Sequence, residues 1–188
     1  MITGGKREVL SDIATTPEAI RGTFAEHQEE LRWLAGFLTG DDEVAQACVV
    51  DACAFAQRSW EGGADWFAVS PAFATVYSAM QIQRSRIAEL SPVYEGRIGG
   101  RRTDEQLPPD LLELIVTESD VIRSRLDTIC RFVLVICGIE ECPSTEAARW
   151  LGISWPAVEA AYCAALESLE GFDCEGQIES DAAPAAWN

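Results

Sequence analysis

The sequence predicts an all-α protein of two helical units, on three observations. Apolar residues recur at the three-and-four spacing of a helix face, and no stretch alternates with the period of two that a half-buried strand needs. Capping residues and prolines stand where helices would begin, as in Thr16-Pro17 and Ser70-Pro71. The helical period lapses over residues 91–108, SPVYEGRIGGRRTDEQLP, where turn formers mix with charge as in a linker. The chain of 188 residues is 48% hydrophobic, enough to bury one core or two small ones.

Residues 1–15 hold few apolar positions and read as a flexible leader. The first domain is expected over residues 16–90. Its first helix starts behind Thr16 and runs to about Leu38, burying Ile20, Phe24, Leu31, Leu34, Ala35 and Leu38. Thr39 to Asp42 break that helix and recap a second one from Glu43 to Trp60. It is apolar nearly all round and so expected at the centre. After a loop with Gly62, Gly63 and the aromatic pair Trp66 and Phe67, a third helix runs from Pro71 to about Leu90. It offers Phe73, Val76, Tyr77, Met80, Ile87 and Leu90 for burial. These three make a small bundle.

The second domain, residues 109–170, opens on the cluster LLELIV and continues in a strongly apolar helix from Arg125 to Cys137, ended by Gly138. Ser144 is expected to cap a short helix that Gly152 stops in the left-handed conformation. Ser154 caps the next helix, with Pro156 in its first turn. Val158, Ala161, Tyr162, Ala165, Leu166 and Leu169 then recur on its buried face. Two short helices around a glycine turn are the signature of a helix-turn-helix. Residues 171–188 have no period and read as a disordered acidic tail.

Charge narrows what the helix-turn-helix can do. The formal net charge is −17, with ten basic and sixteen acidic side chains over residues 1–107 and four against fifteen over 108–188. Such an acidic chain disfavours non-specific nucleic-acid binding and suits a basic partner. A helix that enters the major groove needs Lys or Arg for phosphates and Arg, Asn or Gln for base edges. The outward positions of the second helix are expected to be Glu159, Ala160, Cys163, Ala164 and Glu167, and no Lys or Arg follows Arg149.

The other function classes find little support. No window is apolar enough to span a membrane and the first residues lack a signal-peptide core, so the expected location is cytoplasmic. The seven cysteines form no C-x-x-C; Cys48 and Cys53, like Cys137 and Cys142, are five apart. They read as reduced packing residues rather than redox or metal groups. His27, the only histidine, is expected on a solvated helix face and has no second imidazole for zinc. Without a Cys/His or Ser/His pair or a phosphate loop, neither an enzyme nor a cofactor is expected.

Leu126, Arg131 and Leu134, followed by Glu146, Ala148, Leu151, Gly152, Ile153, Ser154 and Val158, form the pattern L…R…L, E-x-A-x-x-LGIS and V. Upstream, LAGFLTGDDEVAQACVVDAC places Ala45, Val49 and Asp51 in a second recognisable frame. On these residues, roughly 20–170 of the chain resembles the sigma-factor family of bacterial RNA polymerase, in its small extracytoplasmic-function group. The resemblance implies a region 2-like bundle over residues 16–90 and a region 4-like helix-turn-helix over 109–170. It also implies core RNA polymerase as partner, with Ala45, Val49 and Asp51 at the docking surface.

Promoter DNA, weakly held, and a helical inhibitor protein are the other partners it implies. Where the family carries cations on the recognition helix, this chain has Glu159, Ala161, Ala164 and Leu166, so weakened DNA contact is expected. Arg84, Arg86, Arg97, Arg101 and Arg102 are the one basic stretch. They either meet phosphate or an acidic partner, or solvate the linker. Trp66 and Phe67 either meet unpaired bases or cap the three-helix core. Trp150 and Trp155 are expected to pack between helices. The Ala-rich face from 159 to 167 is either inert or approached by a partner helix. The alternative to a polymerase-binding protein is a helical interaction module that keeps only the fold.

Overall fold

A computed structural model describes residues 16–61, 70–97 and 115–170, and the described residues are helical with no strand among them. The chain divides into two compact units, residues 1–87 and 88–188.

In the first unit the expected opening helix is two helices, α1 (Pro17–Glu26) and α2 (Gln28–Thr39). Thr16 caps α1 as expected, its Oγ1 accepting from the Ala19 N–H at 3.2 Å. His27 interrupts the run with a φ of −103° and ψ of 19°, so it sits at a helix junction, with its side chain solvated as expected. The periodicity hides this break, since Ile20, Phe24, Leu31, Ala35 and Leu38 are all buried on either side of it.

Gly40 ends α2 with a φ of 79°, and Asp41 recaps the chain, its Oδ1 accepting from the Glu43 and Val44 N–H groups at 2.8 and 3.2 Å. The helix that follows, α3 (Asp42–Glu61), packs on α1 and α2 through Ala45, Cys48, Val49, Ala52 and Ala56. It is not enclosed all round: Gln46, Ala47, Val50 and Asp51 are exposed, Val50 by 59%. Small side chains on one side let the neighbouring backbones approach, which fills the core without surrounding the helix.

The third expected helix is α4 (Pro71–Glu95), which continues past Leu90 with Pro92 inside it. The first residues of the expected linker are therefore helical. The Cys48 thiol donates to the Thr75 carbonyl at 3.6 Å, and Phe55 stacks on Tyr77 with centroids 4.4 Å apart. The Gln83 amide donates to the Thr39 carbonyl at 3.1 Å, satisfying a free acceptor at the C-terminus of α2. The leader, Trp66 and Phe67, the linker from Ile98 with Arg101 and Arg102, the LLEL cluster and the acidic tail lie outside the described residues.

In the second unit the expected helix from Arg125 to Cys137 is broken at its start and wound differently at its end. Helix α5 (Ser119–Arg125) stops at Leu126, which is extended, and Asp127 caps α6 (Thr128–Val133). From Leu134 to Ile139 the turns widen to π geometry, and the Glu140 N–H reaches back to Val135 at 2.9 Å. The wide turns carry the helix past Gly138, and it closes at Glu141, whose φ is 53°. Ile129, Phe132, Val133, Leu134, Val135 and Ile136 are buried there and form the centre of this unit.

Candidate functional site

The helix-turn-helix is α7 (Ser144–Leu151) followed by α8 (Trp155–Glu170). Helix α7 begins one residue off the expected frame. Pro143 is its N-cap and accepts from the Glu146 and Ala147 N–H groups at 2.8 and 3.0 Å. Ser144 is already in helical conformation, so its hydroxyl does not cap. Gly152 closes α7 with a φ of 67°, and its N–H and that of Ile153 both donate to the Ala148 carbonyl. A Cβ on Gly152 would meet nothing within 4 Å, so backbone conformation and not space demands glycine there. Ser154 caps α8 as expected, its Oγ accepting from the Ala157 N–H at 3.3 Å.

Helix α8 packs against α6, its π continuation and α7. Ala157, Val158, Ala161, Ala165 and Leu169 are buried, while Tyr162 and Leu166 are half-buried. Ala160 is 4% exposed and belongs to the core, not to the outer face the spacing predicts. Covering by helices on more than one side widens the buried stripe beyond a single helical face. Of the other expected outer positions Glu167 is exposed, and Glu159, Cys163 and Ala164 are half-buried.

Trp155 also differs from its expected place. Its ring is expected between helices but is 53% exposed at the first position of α8, one turn before Glu159. Trp150 is half-buried on α7. Among the scaffold residues Ala148, Leu151 and Val158 are buried, Ile153 is half-buried, and Glu146 is exposed.

The groups around Glu159 are held neutral. Burial pushes the Tyr162 phenol up to about 12, and its proximity to Cys137, Cys163 and Glu159 adds to the shift. The Cys137 thiol is likewise pushed up to about 12, by burial first and then by Cys142 and Glu159. A phosphate brought to this face meets carboxylates without a compensating cation on the helix.

Behind the motif is a polar network that the sequence did not flag. The Tyr94 hydroxyl donates to Asp127 Oδ2 at 2.5 Å and lies 3.1 Å from Cys130 Sγ. Asp127 Oδ1 accepts from the Cys130 N–H at 2.9 Å, and the Cys130 thiol donates to the Ala161 carbonyl of α8 at 3.4 Å. Arg97 lies over the Tyr94 ring, 5.4 Å from its centroid. Asp127 followed by Thr128 was the available signal, an N-cap inside an otherwise unbroken apolar run.

The remaining predicted residues divide between the two units. Ala45 and Val49 are buried in the core of the first unit, and Asp51 is the exposed member of that trio. Arg84 and Arg86 are exposed on α4 in the first unit, whereas Arg97 belongs to the second. Arg131, in the family pattern, is buried and donates through Nη2 to Thr128 Oγ1 at 3.3 Å. Desolvation and then Arg123 lower its pKa.

Among the described residues the cysteines are free thiols, with Cys48 and Cys130 buried and Cys53, Cys137, Cys142 and Cys163 half-buried. No described helix is long and apolar enough to cross a membrane. No protein-family model matches the chain, and no curated protein or solved structure matches it.

Proposed function

We propose that this chain is a sigma-factor-like protein of transcription initiation that binds core RNA polymerase, with its DNA contact weakened. The observation that carries the reading is the α7-turn-α8 motif, closed by left-handed Gly152 and capped by Ser154, whose outer face carries Glu159 and Glu167 and no cation. The motif supplies the scaffold of a promoter-reading domain, and the charge removes the phosphate contacts on which DNA affinity largely rests. Asp51 and the exposed Val50 beside it are the candidates for polymerase contact on α3. The test is association of the purified chain with core RNA polymerase at moderate salt. No association sinks the reading.

A second reading, an interaction module that keeps only the helical fold, is favoured by the burial of Ala45 and Val49. Recovery of helical partners without any polymerase subunit selects it.

A further inference from the structure

The exposed tryptophan at the start of α8 is unexplained by the fold. An indole that reaches 53% exposure contributes little to the core, while Trp150 on α7 is half-buried close by in sequence. Trp155 and Glu159 are four residues apart on one helix, so their side chains share a stripe on its surface, with Cβ atoms about 6 Å apart. The stripe continues through half-buried Tyr162, Cys163 and Leu166. It therefore offers an aromatic face, then a carboxylate, then a shallow apolar strip.

One side-chain chemistry satisfies both halves of that stripe. A guanidinium can stack flat on an indole and at the same time present its N–H fork to a carboxylate. An ammonium makes the charge contact but lacks the planar fork, and a phosphate is repelled. Charge complementarity points the same way, because residues 108–188 carry fifteen acidic and four basic side chains and none of the basic ones lies beyond Arg149. We infer that the Trp155–Glu159 stripe of α8 is a docking surface for an arginine-bearing segment of a partner protein. The arginine stacks on Trp155 and pairs with Glu159, and apolar side chains of the same segment lie along Tyr162 and Leu166. The inference deepens the partner-binding part of the reading above and applies to whichever protein is bound.

The experiment uses the full chain and short capped fluorescent peptides of equal charge, one with spaced arginines and leucines and a twin with lysine at every arginine. Anisotropy titrations at physiological salt compare the wild type with Trp155→Ala, Glu159→Gln and, as a charge-matched control on α3, Glu43→Gln. The expected result is tighter binding of the arginine peptide than of its twin by about fivefold, a loss of about tenfold in Trp155→Ala and Glu159→Gln, and no change in Glu43→Gln. Trp155 is exposed and Glu159 half-buried, and thermal melts verify that both variants fold.

Equal affinity for the two peptides overturns the inference, as does unchanged binding in both variants. Binding of labelled mixed-sequence duplex DNA to the chain itself, lost in Trp155→Ala, overturns it in favour of a DNA surface. Polymerase pull-downs with the same variants separate the two readings. If the wild type does not bind polymerase but the peptide pattern holds, the polymerase reading fails and the docking surface stands. If polymerase is bound and the peptides show no pattern, the docking surface fails alone.

Discussion

Tyr94 donates its phenol hydrogen to the Asp127 carboxylate at 2.5 Å, and the other oxygen of that carboxylate caps helix α6. One acidic side chain thus fixes the start of the unit's central helix and tethers the last turn of α4 to it. Burial and then the Asp127 bond push the Tyr94 phenol far above its ordinary range, so it stays a donor at any physiological pH. Replacing Tyr94 with Phe should cost about 1.5 kcal/mol, and Asp127→Ala about 2 kcal/mol because the cap is lost as well. In a double-mutant cycle read by denaturant melts the pair should couple by about 1 kcal/mol. Additive losses would show that the bond contributes nothing net.

Alkaline pH should weaken this unit. The Cys130 thiol is pushed from 9.0 up to about 12, by burial first, with Asp127 adding to the shift. Cys137 rises to about 12 and Cys142 to about 11, again by burial first. Raised native values mean that the unfolded chain releases these protons first. The stabilisation is full below pH 9 and is lost as pH climbs from there towards 12. Urea midpoints should fall between pH 8 and pH 10.5, and Cys130→Ala should flatten that slope.

Gly152 should tolerate no ordinary side chain without strain. Alanine there has open space but must adopt a φ of 67°, which costs about 1 kcal/mol. Asparagine should cost less than alanine, since it visits this conformation more readily. A melt in which Gly152→Ala matches the wild type would mean that the turn rearranges.

Ala45 and Asp51 separate structure from docking on α3. Leucine at Ala45, which is fully buried, should overpack the α2–α3 contact and cost about 2 kcal/mol. Asp51→Ala, on the surface, should alter stability by less than about 0.5 kcal/mol while reducing polymerase association. Unchanged association in Asp51→Ala removes that residue from the proposed interface.

Reversing the charge of α8 should create DNA binding. Lysine at both Glu159 and Glu167 adds two potential phosphate contacts, raising the magnitude of the log-affinity slope against log salt by about two units. Filter binding to mixed-sequence duplex over a salt series reads this directly. An unchanged slope would mean that the helix face is not accessible to a duplex.

Local chemistry was enough to reveal most elements. Thr16-Pro17, Gly40, Gly152 and Ser154 act at helix ends within a residue or two, through capping bonds that neighbours in sequence can make. The apolar period of α1, α2 and α4 likewise selects Ile20, Phe24, Leu31, Val76, Met80 and Ile87 for the core. The misplaced details share a cause. His27, Asp127 and the wide turns after Val133 interrupt helices without interrupting the apolar pattern, because both flanking segments face the same core.

By itself, then, the sequence determined an all-helical chain, its caps, its glycine turn and the acidity of its last helix, all of which depend on residue type and near neighbours. Only the tertiary structure decided which side of each helix is covered. Ala45, Val49 and Ala160 are indistinguishable in sequence from surface alanines and valines, yet adjoining helices close over them. Trp155 looks like a core residue and stands in solvent. Tyr94, Asp127 and Cys130 carry no shared sequence signal, and only the packing of helices remote in sequence brings their polar atoms within hydrogen-bond distance.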